Sequence, residues 1–101
     1  IKSELIHLKQ HNDINTEIAV IGVLPSYHRK GVGRLLVKEA VKAVAETGGR
    51  FLTVKTMSDG SPNVFYAKTR EFYLGVGFEP FEVFPDLWHP SNPCLLLVKE
   101  I

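Results

Sequence analysis

Three cations, Arg29, Lys30 and Arg34, stand within the stretch Pro25-Ser26-Tyr27-His28-Arg29-Lys30-Gly31-Val32-Gly33-Arg34. A helical pattern opens near Gly33, so these charges lie at a helix start, where the macrodipole favours anions and penalises each cation by about a few tenths of a kcal/mol. Unpaired N–H groups at the same place, with glycines around them, suit a phosphate. Charge and glycine alone leave two readings open. Either a phosphorylated ligand supplies the missing anion, or the stretch is a solvated basic loop whose charges are screened. It is not a dinucleotide fingerprint, because Leu36 stands where the third glycine belongs. A P-loop is also excluded, because the Gly-Lys-Ser/Thr ending is absent.

Other reactive residue types offer less. On an extended strand, four residues at about 3.3 Å each would hold His7 and His11 roughly 13 Å apart, too far for one ion, so no metal site is expected. Cys94 opens an apolar run and reads as a small buried residue with no partner to make it a nucleophile. Trp88 and His89, between prolines, read as loop residues that either line an acceptor pocket or plug a sheet edge.

The elements that must position these residues follow from periodicity. Leu5-Ile6-His7-Leu8, the polar Gln10-His11-Asn12-Asp13 and the apolar run Ile18–Leu24 predict an antiparallel hairpin. Its second strand, apolar nearly throughout, is expected to be central and buried on both faces. From Gly33 a helix should turn one face made of Val32, Leu35, Leu36, Ala40, Ala43 and Val44 inward, ending at Gly48-Gly49. Phe51–Thr56 is the next strand, completing a βαβ crossover that should be right-handed and parallel. Ser61-Pro62 should open a second helix running to about Val76 and stopping at Gly77, with Phe65, Phe72 and Val76 on one face. Phe78–Phe84 is expected as a strand, Pro85–Pro93 as a loop, and the run from Cys94 to Val98 as a last buried strand.

The totals bound the answer. With 101 residues, 45% hydrophobic and 23% charged, the chain fits one small globular domain. A net charge of +1 gives no general attraction to nucleic acid or membrane. A single cysteine allows no intrachain disulfide and fits a reducing cytoplasm. No apolar run approaches the roughly 20 residues of a membrane span. The chain begins at Ile1, which suits a piece of a longer protein.

The pattern His28-Arg29-Lys30-Gly31-Val32-Gly33 after an apolar strand resembles motif A of the GNAT superfamily of acyl-CoA-dependent N-acyltransferases, written Gln/Arg-x-x-Gly-x-Gly/Ala; His28 departs from the usual residue. Phe72-Tyr73-Leu74-Gly75-Val76-Gly77-Phe78 resembles motif B of the same family, in which Phe-Tyr is followed after three residues by Gly-Phe. The run from Tyr66 to Tyr73 is similar to the bacterial members that carry Tyr-Ala-x-Thr-Arg-x-Phe-Tyr. The likeness extends from about Thr16 to Ile101.

The resemblance implies an α/β fold, a GNAT-like mixed sheet with a central βαβ crossover, N-terminally truncated because the family's preceding strand and two helices have no counterpart here. It implies a single acyl-CoA-binding acetyltransferase domain, 1–101, partial in extent. The implied function is transfer of an acetyl group from acetyl-CoA to a primary amine, small molecule or peptide, by direct attack; a non-catalytic acyl-CoA-binding or regulatory module is the alternative. Cofactor contacts carry over to His28, Arg29, Lys30, Gly31, Val32, Gly33 and Arg34, with Tyr66 and Phe72 beside them, Tyr66 standing where an asparagine is common. Main-chain atoms of Ile21, Gly22 and Val23 correspond to the strand end that pairs with the pantetheine arm and polarises the thioester carbonyl. Tyr73 corresponds to the tyrosine that protonates the departing thiolate; a phenol near pKa 10 and a thiol near 8.5 make that transfer feasible. Glu17, fourteen residues before Gly31, has the spacing of the general base in the histone-acetylating branch, against the plainer reading of a solvated strand-end carboxylate. A sheet left open by the missing elements invites a second copy, so a homo-oligomer is expected.

Overall fold

The computed structural model describes residues 4–23, 31–58 and 64–101. Along the chain run β1 (Glu4–Gln10), β2 (Asn15–Val23), α1 (Val32–Glu46), β3 (Phe51–Met57), α2 (Val64–Gly75), β4 (Glu79–His89) and β5 (Asn92–Glu100). The five strands form one sheet in the order β1-β2-β3-β5-β4. Contacts divide the chain into two compact units, Ile1–Leu52 with Glu100–Ile101, and Thr53–Lys99. Among the described residues no helix is long and apolar enough to cross a membrane.

In the first unit β1 and β2 form the expected antiparallel hairpin. Its turn is set by Asn12, whose Oδ1 accepts from the N–H groups of Ile14 at 3.0 Å and Asn15 at 2.9 Å. An Asx turn of this kind offers the backbone a local alternative to the ladder. The ladder contains an irregularity that sequence alone did not suggest. Leu8 faces Ile18 and His7 faces Val20, so Ala19 is an extra residue on β2. Such a bulge reverses the side-chain alternation beyond it. One face of the hairpin therefore carries Ile6, Leu8, Ile18 and Ile21, and the other Leu5, His7, Lys9, Glu17, Val20 and Gly22.

Ile18 is buried, whereas Leu5 and Val20 are half exposed. The expectation that β2 is covered on both faces is thus corrected: a run of apolar residues need not be buried on both sides, and here the face with Leu5 and Val20 is half exposed. Continuous burial falls instead on Leu52, Thr53 and Val54 of β3.

Helix α1 packs on this hairpin. Its buried stripe is Val37, Ala40 and Val44, while Leu35 is 59% exposed, so the inward face is rotated from the one expected. The glycine stop behaves as anticipated. Gly48, at φ +77°, donates to the Ala45 carbonyl at 3.1 Å, and Gly49 to the Val44 carbonyl at 3.0 Å. This is the double bond of a Schellman motif.

In the second unit α2 ends the same way. Gly77, at φ +100°, donates to Leu74 O at 3.1 Å and Phe78 N–H to Tyr73 O at 3.0 Å. The core here is Val54, Tyr73, Phe78, Cys94 and Leu97. β4 and β5 form an antiparallel hairpin in which β4 runs through His89. The loop expected over Pro85–Pro93 is therefore mostly strand, closed by a tight turn at Pro90-Ser91. Prolines suggested a break, but β4 is last in the sheet order, and Pro85 falls where no β5 partner is paired, between Phe84 and His89. An edge strand needs no donor at that place.

Candidate functional site

The start of α1 shows what its sequence requires. Gly31 is the N-cap at φ 79°, ψ 5°, in the left-handed region, with no side-chain cap and no acidic residue in the first turn. Its carbonyl accepts from Leu35 N–H at 3.0 Å, the first bond of the helix. The amides of the first turn precede that ladder and have no partner within the helix. A Cβ built on Gly31 meets no atom of the other described residues within 4 Å. Val32 and Gly33 are half-buried and Arg34 is exposed. His28, Arg29 and Lys30 lie outside the described residues.

The end of β2 carries Ile21, Gly22 and Val23, paired with Ile6, Leu5 and Glu4 of β1. Ile21 is half-buried and Gly22 exposed, with nothing within 4 Å of a Cβ placed there. Glu17 lies on the same strand, and the bulge at Ala19 puts it on the face of Gly22 rather than that of Ile21. Five residues of strand hold it about 16 Å from Gly22. Its Oε1 is 2.6 Å from His11 Nε2, an ion pair when the imidazole is protonated. That contact favours the plainer role of a hairpin-end carboxylate.

In the second unit, Tyr66, Phe72 and Tyr73 lie on α2. Tyr66 and Phe72 are half-buried, while Tyr73 is 3% exposed. The Tyr73 ring packs edge-on against Phe78 with centroids 5.4 Å apart, and lies 5.4 Å from Phe72. The contact with Phe78 is the apolar pairing that accompanies a Schellman stop, here between C3 and C″. Burial pushes the phenol up from 10.0 to about 12. Tyr73 is therefore a weaker acid than the sequence suggested, and one that keeps its proton throughout the neutral range.

Two side chains that sequence reasoning passed over fix this helix. Arg70 Nη1 donates to the carbonyls of Met57 at 2.9 Å and Ser58 at 3.0 Å. Lys99 Nζ donates to Val76 O at 2.9 Å, at the C-terminal end of α2 where a cation is favoured. Arg70 had two signals in the sequence: it is the arginine of the Tyr-Ala-x-Thr-Arg-x-Phe-Tyr run, and its spacing puts it on the side of the helix that carries Tyr66 and Tyr73. Trp88, expected in a loop, is on β4 and 49% exposed. His89 Nδ1 is 2.7 Å from Ser91 Oγ and accepts from Ser91 N–H at 3.2 Å, a local clasp of the hairpin turn. Cys94 is buried. Among the described residues no group of three His, Cys, Asp or Glu could hold a metal ion.

Residues 4–80 match the family model described as an acetyltransferase (GNAT) domain. No curated protein matches the chain. Among solved structures, a GNAT-family protein from Desulfovibrio desulfuricans is 29% identical with a TM-score of 0.79, over 91% of this chain and 56% of that one. A GNAT family acetyltransferase from Elizabethkingia anophelis, solved with acetyl-CoA bound, is 18% identical with a TM-score of 0.81, over 97% and 68%. An aminoglycoside 6'-N-acetyltransferase complexed with coenzyme A is 21% identical with a TM-score of 0.80, over 97% and 66%. This chain thus spans between about half and two thirds of the structures it matches.

Proposed function

We propose, on the premise that this chain belongs to the GNAT acetyltransferase domain family, that it moves an acetyl group from acetyl-CoA to a primary amine by direct attack. The observation that carries this is the start of α1, where a left-handed glycine cap with no side-chain cap precedes a first turn that holds no acidic residue. Such a cradle suits a pyrophosphate, and Arg34 with the neighbouring Arg29 and Lys30 adds the positive charge. The bound thioester supplies the activated acetyl group. Gly22 brings no side chain of its own to the strand end that would take the pantetheine arm, and a main-chain N–H there polarises the carbonyl. Tyr73 gives its proton to the departing sulfur. Its raised pKa works against full transfer, and its contribution is a donor that is always protonated.

Calorimetric titration of the full-length protein with acetyl-CoA is the first test: absence of binding sinks the proposal. Tyr73→Phe should bind acetyl-CoA as the parent does and lose turnover. Glu17→Gln decides the role of that carboxylate, since a general base would cost kcat about 100-fold or more, and a hairpin-end partner of His11 almost nothing.

The alternative, a non-catalytic acyl-CoA-binding or regulatory module, draws on the engagement of Glu17 by His11. Acetyl-CoA binding with no thiol release across a panel of amines would select it. Association as a homo-oligomer is part of the proposal, supported by Leu5 and Val20 on the open face of the first hairpin and by Phe81 on the edge strand.

A further inference from the structure

Arg70 sits three residues before Tyr73 on α2, so the two share a side of the helix. Its guanidinium, only partly exposed, donates to main-chain carbonyls. Met57 is the last residue of β3 and Ser58 the first beyond it, and one nitrogen, Nη1, bonds both carbonyls. The Ser58 peptide is held from the other side as well, because its N–H donates to Pro93 O of β5 at 2.9 Å, and Ser58 is buried. A fixed strand end is thus connected through one side chain to the helix turn that carries Tyr73. Arginine is suited to this because its planar fork is preorganised and its charge permanent.

We propose that Arg70 is a positioning residue: by tying α2 to the carbonyl end of β3, it sets where the Tyr73 hydroxyl stands for proton donation. This rests on the reading of Tyr73 as the donor. It explains why a cation occupies the inward side of a helix whose neighbours there are Tyr66 and Tyr73. Phe78 and Phe72 fix the plane of the Tyr73 ring, and Arg70 fixes the helix that presents it.

The test compares Arg70→Gln, Arg70→Lys and Tyr73→Phe in the full-length protein, with thiol release as the assay and ultraviolet phenolate titration of Tyr73, assigned by subtracting the Tyr73→Phe curve. Arg70→Gln should lower kcat about 10- to 100-fold, the scale of a misplaced reacting group. KM for acetyl-CoA should stay within about threefold, because binding contacts are untouched. The Tyr73 midpoint should fall from about 12 towards the ordinary phenol value as water reaches a loosened ring. Arg70→Lys should restore part of both, since an ammonium still donates to the same carbonyls.

Wild-type kcat and an unmoved midpoint in Arg70→Gln would overturn the inference, as would a raised KM at unchanged kcat, which would mark a direct cofactor contact. Should Arg70→Gln fail to fold by circular dichroism, Arg70→Lys is read by the same two measurements, and unchanged values there would also overturn it. Failure of the underlying reading looks different: Tyr73→Phe would then turn over normally, which removes the donor and the role of Arg70 together. Inactive Tyr73→Phe beside fully active Arg70→Gln refutes Arg70 alone.

Discussion

Tyr73 owes its chemistry to its surroundings. The phenol is sheathed by Phe72, Phe78 and the turn that ends α2, and the cost of charging it there has a consequence for stability. Its folded pKa, about 12, lies above the unfolded value of 10.0. Below pH 10 the stabilisation is fully present, and as pH rises from about 10 to 12 the unfolded chain releases its proton first and the native state loses about 2–3 kcal/mol. Urea unfolding followed through that interval should show the loss in the parent and not in Tyr73→Phe. This residue was legible from the sequence because Phe-Tyr and Gly-Phe stand at a fixed spacing. The contacts of Arg70 were not, because an arginine on a helix ordinarily reads as solvated, and only the fold shows which carbonyls lie within its reach.

The elements were legible where a local rule decides them. Gly48 and Gly77 mark helix ends because each needs a positive φ, and both helices close with the same paired bonds. Gly48→Ala should cost about 1 kcal/mol in chemical unfolding, since alanine is strained in that region. Lys99→Met should cost about 0.3–1 kcal/mol, more at low salt than at high, by removing the cation from the end of α2. Features that depend on a partner strand were not legible. The extra residue at Ala19 is defined by what β1 presents opposite, and the length of β4 by its being at an edge where proline is tolerated. The inward stripe of α1 differs from the expected one for a related reason: Leu35 belongs to the apolar pattern but is 59% exposed in the fold.

For the molecule as a whole, composition and charge set the class, and the two motifs set the family, yet the open surfaces emerge only from the fold. Leu5 and Val20 on one hairpin, and Phe81, Val83, Leu87 and Trp88 on β4, are all about half exposed or more. Sedimentation at micromolar concentration should show association that Phe81→Ser or Val20→Ser weakens; a monomer throughout would count against the homo-oligomer. Gly31→Ala should weaken acetyl-CoA binding in calorimetry while leaving the sheet intact, because the strain falls on the cap alone. The bulge has a different kind of consequence. Ala19 is itself exposed, and Ile18 and Val20 on either side of it already face opposite ways, so deleting it would leave both faces as they are and only straighten the ladder. The extra residue is slack in the strand, taken up without changing what either face presents.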